Sequence, residues 1–175
     1  SLYGENHNLP TVVSNNLAYL YMLMEDYEKS SGVLVEVIAR WEDILGSDHQ
    51  NTLKAKNNLG RVYKRQGEYE LAEATILDAL KRRKAALGDD HIDAIRSRID
   101  LGGVYIEQER NDEAVVLLTE ALALAESRLG NLHPYTFDAL NYLAQSKENL
   151  NELKSAVRFV RKDLFDAVNS SIPCF

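Results

Sequence analysis

Leu45-Gly46-Ser47-Asp48-His49 returns as Leu87-Gly88-Asp89-Asp90-His91 and again as Leu129-Gly130-Asn131-Leu132-His133, each copy 42 residues after the last. The same interval counted back from Gly46 reaches Gly4 in Tyr3-Gly4-Glu5-Asn6-His7, so all four histidines of the chain occupy one column of a 42-residue repeat. A period of roughly 20–50 residues means stacked supersecondary units, none of which can bury its apolar face alone. The expected fold is therefore a solenoid without a single central core.

Laying the repeats over one another shows what each column does. Leu17, Leu59, Leu101 and Leu143 align, and in the first three repeats they are followed by Leu20-Tyr21, Val62-Tyr63 and Val104-Tyr105, which is one face of a helix. A second helix carries the stripe Ala72, Ile76, Ala79, Leu80 and then Ala114, Leu118, Ala121, Leu122, where small residues let two helices approach closely. Polar turns such as Gln66-Gly67-Glu68 separate the two, glycine suiting the left-handed residue just past a helix end. Each repeat thus reads as a helical hairpin. The Leu-Gly-x-x-His loop closes one and starts the next, with Asn51-Thr52 or His133-Pro134 supplying capping and first-turn chemistry.

Hairpins are expected at 11–44, 52–87, 93–129 and 134–168, about eight helices in an array over 1–168, with 169–175 as a tail. In the fourth repeat Lys147 replaces the tyrosine and Asp163 the second alanine, so it is expected to be a solvent-facing cap. In the first, Ser30 and Val37 replace the alanines, and Leu2-Tyr3 read as the end of an earlier helix. The array is accordingly expected to continue on its N-terminal side.

Leu59, Gly60, Tyr63, Ala72, Ile76 and Ala79 stand at the signature positions of a tetratricopeptide repeat, as do Leu101, Gly102, Tyr105, Ala114, Leu118 and Ala121. The chain resembles the 42-residue form found in kinesin light chains and in the C-terminal arrays of STAND-type signalling ATPases. The resemblance covers residues 2–168, most strongly in repeats two and three. It implies an all-α tetratricopeptide superhelix, cytoplasmic, whose concave groove is lined by the first helix of each hairpin and binds a protein or peptide.

Composition excludes several alternatives. The chain has 175 residues, 45% hydrophobic and 27% charged, in the range of a folded globular protein, and its net charge of −7 supplies no general cationic surface for nucleic acid or an anionic membrane. No apolar run of ~18 residues suggests a membrane span. The single cysteine, Cys174, cannot form an internal disulfide, and it lacks a neighbouring histidine or basic helix end to activate it as a nucleophile. Zinc nitrogens sit ~2.0–2.1 Å from the ion, whereas equivalent atoms on stacked helices are ~8–10 Å apart, so the histidine column cannot gather one ion. A structural role is expected instead, each histidine tying its loop to the neighbouring one. Paired acids such as Asp89-Asp90 lie in loops and suit capping better than acid–base chemistry. The reading is non-catalytic, with no metal and no cofactor.

Carrying over the family's groove positions gives Asn15, Asn16, Tyr19 and Leu23 in the first hairpin and Lys54, Asn57, Asn58, Arg61 and Arg65 in the second. The third gives Arg96, Asp100 and Gly103, and the fourth Asn141, Tyr142 and Gln145. Side-chain amides offer both donor and acceptor to an extended peptide's backbone. Lys54, Arg61, Lys64, Arg65 and Arg96 would steer an acidic peptide, and Tyr19 and Leu23 would accept an apolar or aromatic side chain. Some relatives hold a carboxylate with lysine, asparagine and arginine. Here Asn58 matches and Arg96 could stand for the lysine, but Asn15, Tyr19 and Asp100 depart from that pattern. The alternative function is a sensor or self-association array of a larger signalling ATPase. It would act through the stack edges: the N-terminal edge, and an exposed surface at Leu17, Tyr21 and Trp41.

Overall fold

The computed structural model describes the backbone of residues 9–170 and the side chains of residues 10–154. Leu2, Tyr3, His7, Cys174 and the sequence beyond Ser170 lie outside the described residues, as does the side chain of Asp163. Within them the chain is α1 (Leu9–Leu23), α2 (Tyr27–Leu45), α3 (Gln50–Gln66), α4 (Tyr69–Leu87), α5 (Ile92–Glu107), α6 (Asn111–Leu129) and α7 (Pro134–Ser170). Each helix packs on the next, and α5 touches both α3 and α7. This is the all-α solenoid that the repeat predicts.

The core runs along the stack as linked clusters. Leu34, Val37, Ile38 and Trp41 of α2 meet Ala55, Leu59 and Val62 of α3; one repeat later, Ala72, Ile76 and Leu80 meet Leu101 and Val104. Fully burying side chains such as Ile76 and Leu118 stabilises the fold by about 1.5–3 kcal/mol each. Trp41 belongs to this core at 3% exposure, which corrects the expectation that it lines an exposed edge. Its column continues as Arg83 and Ala125, both buried, because this side of each second helix faces the following hairpin. On α1, by contrast, Val13, Leu17 and Leu20 are exposed where their counterparts Ala55, Leu59 and Val62 are covered.

Two kinds of turn join the helices. At the hairpin tips Glu25, Gly67 and Glu109 take φ of 60°, 82° and 61°. Each donates its amide three residues back, and the next residue donates to the carbonyl of Tyr21, Tyr63 or Tyr105 at 2.9, 2.9 and 2.8 Å. That double bond is the Schellman arrangement, which satisfies carbonyls left open at a helix end. Between repeats, Gly46, Gly88 and Gly130 adopt φ of 95°, 93° and 86° with ψ near 160°, a region open in practice only to glycine.

The histidine three residues on is the N-cap of the following helix. Nδ1 of His49, His91 and His133 accepts the amide of Asn51, Asp93 and Tyr135, each at 3.1 Å. The structural role is therefore local: each histidine caps its own helix rather than tying neighbouring loops together.

Over 134–168, where the register predicts a fourth hairpin, the chain is one helix of 37 residues. Among the described residues this gives seven helices, close to the eight expected, with the fourth hairpin opened out. No glycine or proline follows Pro134 within α7, and Lys147 stands where Tyr21, Tyr63 and Tyr105 anchor the earlier tips. Tyr63 and Tyr105 pack against the core, so the lysine removes an apolar contact that would favour a turn over continued helix.

Candidate peptide-binding groove

The inner face of α3 carries Lys54, Asn57, Asn58, Arg61 and Arg65 because these positions alternate with the buried Leu53, Ala55, Leu59 and Val62 on a 3.6-residue helix. A concavity of about 470 Å³ is lined by Asn15, Asn16, Tyr19, Lys54, Asn57, Asn58, Arg61, Arg83, Asp93, Arg96 and Tyr135. A second, of about 320 Å³, shares Tyr19, Arg61 and Arg96 and adds Leu23, Arg65, Met22, Glu25, Tyr27, Lys64, Asp100 and Tyr142. Of the fifteen groove positions expected from sequence, twelve therefore line one or other of these hollows, and Gly103 does not. Asn141 and Gln145 line neither and stand exposed on α7.

The floor is a buried polar network centred on Asp100. Its carboxylate accepts from Asn57 Nδ2 at 2.7 Å and Arg96 Nε at 3.0 Å, with Arg61 Nε 3.8 Å away. Asn57 Oδ1 accepts in turn from Ser97 Oγ at 2.8 Å, and Arg83 donates to Ser97 Oγ at 2.6 Å and to the Asp93 carbonyl at 2.9 Å. Burial lowers the Arg83 guanidinium from its ordinary value, against the pull of Asp93 and Asp100. At Arg96 burial also disfavours the charge, but Asp100, Tyr135 and Asp138 outweigh it and the value is raised. Arg96 lies over the Tyr135 ring at 4.8 Å and bonds Asp138 at 2.9 Å.

This changes the roles of two expected contacts. Asn57 is 4% exposed with its amide engaged inward, so it positions Asp100 rather than offering itself to a ligand. Arg96 is held by two carboxylates. Asp100, one of the departures from the carboxylate-holding pattern, is itself surrounded by arginine and amide donors.

Above the floor, Lys54, Arg65, Asn16, Asn58 and Tyr19 make no hydrogen bond or ion pair among the described residues, and all but Asn58 are exposed. Asn15 Oδ1 is buried with no hydrogen-bond partner among the described residues. The two hollows together present six cationic side chains against three carboxylates, in a chain whose net charge is −7. Lys64 bonds the Tyr142 hydroxyl at 3.1 Å and lies over its ring, across Gly103, where a Cβ would come within 2.9 Å of Nζ.

Sequence reasoning missed Arg83, Ser97, Asp93 and Tyr135. Only Arg83 carries a signal that could have exposed it, a cation in a column otherwise filled by Trp41 and Ala125. Among the described residues no cluster of three or more His, Cys, Asp or Glu could hold a metal ion, and no helix is long and apolar enough to cross a membrane.

A search of curated protein sequences found no match. Solved structures do match. BtubC (BKLC) from P. vanneervenii is 21% identical over 96% of this chain and 68% of its own, with a TM-score of 0.72. The nearly identical TPR-like repeats of a Podosopora anserina protein described as a kinesin light chain are 20% identical over 93% of this chain and 77% of their own, at a TM-score of 0.66. A point variant of those repeats is 22% identical over 87% of this chain and 72% of its own, at a TM-score of 0.68. At such identities the likeness is one of fold. The family model for the tetratricopeptide repeat matches residues 11–85 and again 54–127, so this chain belongs to the tetratricopeptide repeat family.

Proposed function

We propose that this protein-interaction array binds a short acidic segment of a partner protein in its concave groove. The observation that carries the reading is the local reversal of charge: Lys54 and Arg65, without an ion-pair partner among the described residues, and Arg61 beside them surround amides and a half-exposed tyrosine in an otherwise acidic molecule. Asn16 and Asn58 would hold the peptide backbone, Lys54, Arg61 and Arg65 its carboxylates, and Tyr19 and Leu23 an apolar or aromatic side chain between them. Asn57, Arg83 and Asp100 would keep these groups in place without touching the ligand. The role is non-catalytic.

Fluorescence anisotropy with a labelled peptide carrying acidic residues on both sides of a tryptophan tests this. Wild-type protein should bind it with an affinity that falls as salt rises, and Arg61→Glu should weaken binding about 10-fold or more, roughly 1.4 kcal/mol. A lysine-substituted peptide should not bind. Equal binding of both peptides, or an indifferent Arg61→Glu, would sink the proposal. The exposed Val13, Leu17 and Leu20 on α1 support a second role in which that edge of the stack packs on another apolar helix face.

A further inference from the structure

The fourth repeat leaves a face uncovered that every other repeat covers with its own second helix. In the first repeat Thr11 and Ala18 are at 1% and 0% exposure, and Ser30 Oγ of α2 bonds the Ala18 carbonyl at 2.8 Å. In the second, Leu53 is 1% exposed, and a Cβ on Gly60 would meet Ile76 of α4 at 2.3 Å. In the third, Ile95 is 0% exposed, and a Cβ on Gly102 would meet Leu118 of α6 at 2.6 Å. The same columns in α7 are Phe137 and Ala144. Phe137 is 48% exposed, Ala144 is exposed, and between them Leu140, 50% exposed, replaces the cations Lys56 and Arg98.

The sequence that should cover this face is present. Ala156, Val160 and Leu164 fall in the columns of Ala72, Ile76, Leu80 and of Ala114, Leu118, Leu122, the stripe that presses on the first helix in repeats two and three. Because α7 is continuous to Ser170, however, residue 160 lies roughly 24 Å along the axis from residue 144. A straight helix cannot fold onto itself. It can reach the same face on another molecule, and since each copy carries both halves of the contact, the pairing is reciprocal and closes as a two-fold dimer.

We propose that two copies of this chain pair through their opened fourth repeats, the 152–170 segment of each lying on the Phe137–Leu140–Ala144 face of the other. The occupant is identified by repeat arithmetic: the contacts exchanged between copies are those that α4 makes with α3 and α6 with α5. The inference is independent of the groove, whose lining takes Tyr135 and Tyr142 from α7 but not Phe137, Leu140 or Ala144.

A cysteine pair decides it. With Cys174→Ser as background, Ala144→Cys/Val160→Cys takes the positions equivalent to Gly102 and Leu118, which are in contact in the third repeat. Mild oxidation should give a covalent dimer of about 40 kDa, twice 19.8 kDa, on a non-reducing gel. A cross-linked monomer would overturn the proposal, because it would mean that the segment folds back on its own helix. Absence of any cross-link would overturn it as well. Independently, Phe137→Asp and Leu140→Lys alter exposed positions, so helicity should survive by circular dichroism. The dimer dissociation constant from light scattering should rise about 10-fold or more. A dimer indifferent to both changes would rule this face out.

Discussion

His91 performs with one ring nitrogen what serine or aspartate performs at most helix starts, accepting the amide two residues on. His91→Ala should therefore lower the free energy of unfolding by about 1 kcal/mol in urea titration, and His91→Asn should recover most of it. No loss on His91→Ala would show that the bond is incidental. In the same loop Asp89 receives Lys84 and the buried Arg98, and these partners, Lys84 first, hold its carboxyl below the ordinary value. A carboxylate depressed by folding stabilises the native state above the unfolded value, about 3.9, and loses that contribution as pH falls through the folded one. The difference in thermal midpoint between wild type and Asp89→Asn should thus hold constant above about pH 5 and shrink below about pH 4.

At the scale of the helix, the close approach of first and second helices depends on two glycines. Alanine is the better helix former by about 1 kcal/mol, yet at Gly60 its Cβ would lie 2.3 Å from an Ile76 carbon and 3.2 Å from the Ala72 carbonyl. Overpacking of this kind costs about 1–3 kcal/mol, so Gly60→Ala should be net destabilising by chemical denaturation, and a stabilised variant would mean that α4 can move aside freely. Helix phase and hairpin pairing were legible in the sequence because apolar spacing and turn chemistry act within a few residues. The fourth hairpin was not, because no residue near Asn149–Asn151 forbids either outcome. Whether a helix turns there depends on the tyrosine anchor that Lys147 lacks and on what lies against Phe137 and Leu140. Those contacts are non-local.

Across the whole molecule, the Asn57–Asp100–Arg83 network ties the second repeat to the third through side chains up to 43 residues apart. Removing the central charge leaves two arginines less compensated over a buried amide. Asp100→Asn should accordingly lower stability by about 2–4 kcal/mol and flatten the unfolding transition as the two repeats uncouple; a loss within about 0.5 kcal/mol would show that the network is not what joins them. The basic groove was legible as a set of columns, and Asn15, Asn16, Tyr19, Lys54, Asn58 and Arg61 converge as those columns imply.

The 42-residue period, the family, the inter-repeat glycines and the inner faces of the helices could be read from the residues alone, because each follows from backbone sterics or helical periodicity over a short span. That Asn57 turns inward to Asp100, that Trp41 is core, that Arg83 reaches the groove floor and that α7 runs unbroken emerges with the packed fold. In each case the outcome rests on which side chains stacking brings within bonding distance, and that depends on the packing of helices far apart in the chain.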